Sequence, residues 1–94
     1  MNYYKLNGKN TVKTGAFSKV FGRNRTVAKD KIGDVEISTV FLGLDHQFGK
    51  GRPLLFETMV FGGELDQEMD RYSTYEEAEK GHKFMVKRVK EKIK

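Results

Sequence analysis

Two apolar runs on either side of a short, charged, glycine-rich segment limit what this chain can become. The first is Ile37-Ser38-Thr39-Val40-Phe41-Leu42-Gly43-Leu44-Asp45-His46, and the second is Pro53-Leu54-Leu55-Phe56-Glu57-Thr58-Met59-Val60-Phe61-Gly62-Gly63. Both are rich in β-branched and aromatic residues and bounded by glycine or proline, which is the pattern of strands. Joined through Gln47-Phe48-Gly49-Lys50-Gly51-Arg52, they are expected to run antiparallel. Side chains alternate across a strand, so Val35, Ile37, Thr39 and Phe41 share one face and Ser38, Val40, Leu42 and Leu44 the other. In the second run Leu54, Phe56, Thr58 and Val60 alternate with Leu55, Glu57, Met59 and Phe61. Strands apolar on both sides belong at the centre of a sheet. They are expected to be covered twice, by a helix and by a second subunit, which predicts a homo-oligomer. Ninety-four residues suffice for one domain with one modest core.

The helix is expected at the C-terminal end. Ser73-Thr74-Tyr75-Glu76 reads as a capping box with Ser73 at the N-cap. Glu76, Glu77 and Glu79 suit the positive end of the helix dipole, and Lys87, Arg88, Lys90, Lys92 and Lys94 the negative end. Ala78, His82, Met85, Val89 and Ile93 form one apolar stripe with Val86 beside it, which is expected to be core. Gln67 to Tyr72 reads as a third, more exposed strand after a turn at Gly62-Gly63-Glu64-Leu65-Asp66.

Asn7-Gly8, between Tyr3-Tyr4-Lys5-Leu6 and Thr11-Val12-Lys13, predicts a short hairpin with a type I′ turn centred on Asn7 and Gly8. Thr14 to Gly22 reads as a loop burying Phe17 and Phe21, and Arg25 to Lys29 as a lysine-protected edge strand. The expected fold is therefore α+β: an antiparallel sheet of three or more strands with one C-terminal helix packed on it. A single domain divides into a basic hairpin and loop region (1–33), central strands (34–72) and an amphipathic helix (73–94).

Charge is sorted along the chain. Residues 1–33 carry a net +7, residues 34–79 a net −8 and residues 80–94 a net +6, giving +5 in all. Basic ends and an acidic middle can satisfy one another within or between chains. They can also meet an anionic partner such as a nucleotide, a nucleic acid or an acidic protein surface. With no cysteine, disulfides and thiolate metal sites are excluded. No signal peptide or membrane-length apolar run is read, so the expected setting is soluble and intracellular, with no membrane partner.

The central block carries a resemblance. Ser38-Thr39-Val40-Phe41-Leu42-Gly43-Leu44-Asp45-His46, then Leu54-Leu55-Phe56-Glu57-Thr58-Met59-Val60-Phe61-Gly62-Gly63, then Arg71-Tyr72-Ser73-Thr74 and Ala78-Glu79-Lys80-Gly81-His82, resemble a family of small proteins of tailed bacteriophages and prophages. The likeness spans about residues 35–86 and leaves the N-terminal third outside. It implies a phage accessory protein in the host bacterial cytoplasm. Proteins of that class often counter host defence, by blocking an immune protein or by sequestering an immune nucleotide signal.

The loop Phe48-Gly49-Lys50-Gly51-Arg52 is the best candidate anion site, because glycines let backbone N–H groups converge while Lys50 and Arg52 add charge. It lacks the Walker ending and the helix that follows it. The competing reading is a charged hairpin tip. In the nucleotide reading, Lys50, Arg52 and Arg71 hold phosphates, His46 donates a hydrogen bond and Tyr72 stacks on a base. Glu57, a carboxylate in an apolar strand, needs a partner: Arg71 on the next strand is favoured, with a ligand or a second subunit as alternatives. Asp45, His46, Glu57 and His82 match no metal signature, and His82 on the apolar stripe reads as a hydrogen-bonded core histidine. No serine has a nucleophile context. The expectation is a non-catalytic binding protein without cofactor or metal, with two alternatives: a protein-interaction inhibitor of a host immune complex, or a nucleic-acid-binding module.

Overall fold

The computed structural model describes residues 3–14, 25–45 and 51–93. Strands β1 (Tyr3–Asn7) and β2 (Asn10–Thr14) form a hairpin. Strands β3 (Thr26–Ile32), β4 (Val35–Phe41), β5 (Phe56–Phe61) and β6 (Met69–Tyr72) form a four-stranded sheet in that order, with every neighbouring pair antiparallel. Helix α1 (Tyr75–Lys92) packs on one face of this sheet, so the fold is α+β as expected.

The two apolar runs are the inner strands, and their pairing sets Ile37 opposite Val60, Thr39 opposite Thr58 and Phe41 opposite Phe56. Both strands are shorter than their runs. The first ends at Phe41, beyond which Leu44 makes only an isolated bridge to Tyr3; the second begins at Phe56. Alternation decides which side is buried: Val35, Ile37, Thr39 and Phe41 of β4, and Phe56, Thr58 and Val60 of β5, lie beneath α1. The other face carries Ser38, Val40, Glu57, Met59 and Phe61. Among the described residues this second face is only partly covered: Phe61 remains 46% exposed and Met69 on β6 40% exposed.

The core is layered. Val35, Ile37, Val60, Met85 and Val89 make one apolar cluster. Phe41, Leu55, Phe56 and Ala78 make another, onto which Tyr4 and Leu6 of the hairpin pack. Between these clusters lies a polar level formed by Thr39, Thr58 and His82, all buried. Each contributing element has the same rhythm: Ile37/Thr39/Phe41, Val60/Thr58/Phe56 and Met85/His82/Ala78. The hairpin is tied to the main sheet by the Tyr4 N–H donating to the Gly43 carbonyl at 2.8 Å.

Several local expectations shift by one residue. The helix N-cap is Thr74, not Ser73, and its box partner is Glu77, not Glu76. The Glu77 N–H donates to Thr74 Oγ1 at 3.1 Å, and the Thr74 N–H donates to Glu77 Oε1 at 3.1 Å. Overlapping S-T-Y-E and T-Y-E-E windows both satisfy the motif, and only packing selects between them. The hairpin pairs Asn7 with Asn10, so its central residues are Gly8 and Lys9. Positive φ occurs at Gly8 and not at Lys9, which is the type II′ pattern rather than type I′. Ile93 lies past the helix and is 45% exposed, so it leaves the predicted core stripe. The boundary drawn at residues 33/34 falls in the β3–β4 turn: β3 belongs to the main sheet as its edge strand, not to a separate basic region. The loop expected to bury Phe17 and Phe21 lies outside the described residues.

Candidate functional site

Three of the six nominated residues come together. Arg52, Arg71 and Tyr72 line one open depression of about 320 Å³ with Leu54, Ser73 and Glu77. Antiparallel pairing brings the segment after the Gly-rich loop back beside β6, and β6 leads directly into the first turn of α1. His46 and Lys50 lie outside the described residues. Glu57 does not line the depression.

The charged groups are engaged. Arg52 donates through Nη1 and Nη2 to the two oxygens of Glu77, both at 3.0 Å. Glu77 Oε1 also accepts from the Ser73 N–H at 3.2 Å and the Thr74 N–H at 3.1 Å. One carboxylate thus fills the place at the start of α1 that an external anion would take. The Arg52 hydrogen bond, aided by the Ser73 and Thr74 backbone, holds the Glu77 carboxyl below its ordinary value against the opposing effect of burial. Arg71 donates from Nε to Glu57 Oε2 at 3.0 Å, so the partner favoured for Glu57 is the one found. This pair is partly buried, whereas Arg52–Glu77 is largely exposed and correspondingly weak.

Tyr72 is not a free stacking platform. Its ring lies under α1, where a Cβ added at Gly81 would stand 2.2 Å from Cζ and Oη. The ring joins the Phe41, Leu55, Phe56 and Ala78 cluster. Its hydroxyl is buried and, among the described residues, makes no well-formed hydrogen bond, with the Thr58 side chain close by. Burial raises the Tyr72 hydroxyl above its ordinary value; nearby Thr58 opposes the shift and Asp70 adds to it.

A second group was only half visible from sequence. His82 Nδ1 lies 2.6 Å from Thr39 Oγ1, and its Nε2 lies 2.7 Å from Asp30 Oδ2. Thr39 Oγ1 lies 2.5 Å from Thr58 Oγ1. The reading of His82 as a bonded core histidine fits this geometry; Asp30, in a lysine-rich strand, gave no sign of it. An Asp–His–Thr chain has the order of a hydrolytic triad, but Thr39 is fully buried and so cannot meet a substrate. The arrangement joins α1 to three strands. Among the described residues, no group of His, Asp and Glu gathers as a metal-binding cluster. Among those same residues, no helix is long and apolar enough to cross a membrane. Arg25 closes the sheet end, with Nε donating to the Phe41 carbonyl at 2.9 Å and Nη2 to the Leu42 carbonyl. Burial lowers its guanidinium below the ordinary value.

Compared with protein-family models, curated proteins and solved structures, the chain matches none.

Proposed function

We propose that this chain is a non-catalytic binding protein for an anionic, phosphate-bearing small molecule of the nucleotide class. The observation that carries the reading is the convergence of Arg52, Arg71 and Tyr72 on one open depression. The ligand phosphate takes the place of the Glu77 carboxylate on the Arg52 fork, since guanidinium recognises both groups with the same paired donors. Arg71 lies at the same rim. The resemblance of the central block to phage proteins supplies the biological setting: sequestration of a nucleotide signal of host defence, in the bacterial cytoplasm.

Calorimetry with a panel of linear and cyclic nucleotides tests this. Binding should weaken at least tenfold in Arg52→Ala with the fold intact by circular dichroism. It should strengthen in Glu77→Gln, which releases the arginine. Absence of heat across the panel refutes the reading.

One observation favours a protein partner as a second reading. The sheet face turned away from α1 carries Val40, Met59, Phe61 and Met69, of which Phe61 and Met69 are exposed, an apolar strip crossing three strands beside the Lys29–Glu36 and Glu57–Arg71 pairs. A second copy or a host immune protein would bury it. Phe61→Asp should abolish self-association in sedimentation velocity, or capture of a host protein, and a monomer that binds no protein at all rules this reading out.

A further inference from the structure

The face of α1 turned away from the sheet is built unlike an ordinary solvated surface. Lys80, Lys83, Lys87 and Lys90 are all exposed on it, and among the described residues none has an acidic partner within 4 Å. At 100° per residue these four fall within one arc, opposite the buried stripe of Ala78, His82, Met85 and Val89. They span about 15 Å along the axis. Lys80/Lys83, Lys83/Lys87 and Lys87/Lys90 are like-charged neighbours at helical spacing, an arrangement that weakens an isolated helix. Glu76, Glu79 and Glu91 stand four residues from Lys80, Lys83 and Lys87 but form no ion pair with them, Glu79 being turned to Lys9, so between Lys80 and Lys90 the arc itself holds only lysines. Beside this row lies Phe84, 59% exposed, the most exposed large hydrophobic residue of those described. It adds nothing to either core cluster.

Lys87 and Lys90 also suit the negative end of the helix dipole, but no described side chain pairs with the row, and the aromatic ring beside it is apolar surface left in water. Both find a use against one class of partner. We infer that this face binds single-stranded nucleic acid, with the four lysines following successive phosphates and Phe84 stacking on a base. Positive grooves that track the backbone, together with exposed rings that accept any base, are the elements of sequence-tolerant single-strand binding. A duplex keeps its bases stacked internally and offers Phe84 nothing. An acidic protein surface would satisfy the lysines but gives the ring no planar partner. The face is independent of the depression at Arg52 and Tyr72, so failure of either proposal leaves the other standing.

Fluorescence anisotropy of a labelled 20-nucleotide mixed-sequence single strand tests the inference, with the duplex of the same sequence and polyglutamate as competitors. Neutralising four phosphates of a single strand gives a slope of about −3 for log K against log salt. Lys83→Gln/Lys87→Gln should reduce that slope to about half. Phe84→Ala should weaken single-strand binding about tenfold and leave the slope unchanged, because stacking carries no counterion release. Both variants change exposed positions, and unaltered thermal melting separates lost binding from lost fold. No binding at 50 mM salt overturns the inference. So does an equal affinity of Phe84→Ala and wild type, which would reduce the face to a charge patch. Stronger competition by polyglutamate than by the single strand would assign the face to acidic proteins instead.

Discussion

Gly81→Ala should destabilise this protein, although the same change stabilises most exposed helices. Gly81 is internal to α1, where alanine normally gains about 1 kcal/mol over glycine. Here a Cβ would lie 2.2 Å from Cζ and Oη of Tyr72 and 2.3 Å from Cε1. Ordinary contact begins near 3.4 Å, so ring or helix must yield by about 1.2 Å. The ring packs against Phe41, Leu55, Phe56 and Ala78 on its inner side, so it can yield only outward, into the open depression. Expelling it exposes apolar area worth about 1.5–3 kcal/mol, and lifting the helix loosens the His82 contacts besides. The propensity gain offsets only part of this. A net loss of about 1–2 kcal/mol is expected, or about 10 °C in Tm for a domain of this size. Urea denaturation followed by helical circular dichroism measures it. In a Tyr72→Leu background the steric conflict is absent, and Gly81→Ala should then be neutral or stabilising. The reasoning is refuted if Gly81→Ala stabilises the wild-type chain, or if the double-mutant cycle shows no coupling between the two positions.

Tyr72→Phe should be neutral or stabilising by up to about 1 kcal/mol at pH 7, because the buried hydroxyl it removes has no well-formed hydrogen bond among the described residues, only Thr58 close by. Burial raises the native hydroxyl value above the unfolded one near 10.0, so the native state holds this proton more tightly. Its contribution is complete below pH 10 and falls as pH rises through the native value; melting from pH 9 to 11 should therefore decline less steeply in Tyr72→Phe than in wild type. Thr74→Ala removes the N-cap acceptor of Glu77 and should cost about 1 kcal/mol, whereas Ser73→Ala should cost little; equal losses in chemical denaturation would contradict the assigned cap. Arg71→Ala should cost more stability than Arg52→Ala, since it strands a partly buried Glu57 carboxylate, while Arg52 leaves an exposed Glu77 still held by two backbone N–H groups.

Much of the fold could be read from local pattern. The alternation of β4 and β5, the stripe Ala78/His82/Met85/Val89 and the Glu57–Arg71 pair each follow from spacing, because a strand or helix presents its faces at a fixed period. Element ends were less legible. Ser73 and Thr74 are both good caps, and Asn7-Gly8 can turn about either of two registers, so a difference of one residue depends on packing elsewhere. The candidate site was least legible. Arg52 is legible in the sequence only as a charge, since its partner Glu77 lies 25 positions away. Tyr72 is legible only as a ring, and that ring inserts where Gly81 leaves room.

By itself the sequence determined the α+β class, the inner strands, the helix and the stripe that the helix buries; it left open which strand face lies under the helix, since both read as apolar. These are consequences of periodicity, which needs no knowledge of distant residues. Tertiary structure alone decided how polar groups are spent. Thr39, Thr58 and His82 come from three elements and meet between two apolar clusters, where burial obliges each hydroxyl and ring nitrogen to find a partner, and the exposed Asp30 of a fourth element takes the outer ring nitrogen. It also decided which cations remain unpaired, because Arg52 and Arg71 are brought against carboxylates by chain reversal while Lys80, Lys83, Lys87 and Lys90 face outward. A contact such as Arg52–Glu77 is a matter of proximity in space, which separation along the chain does not encode.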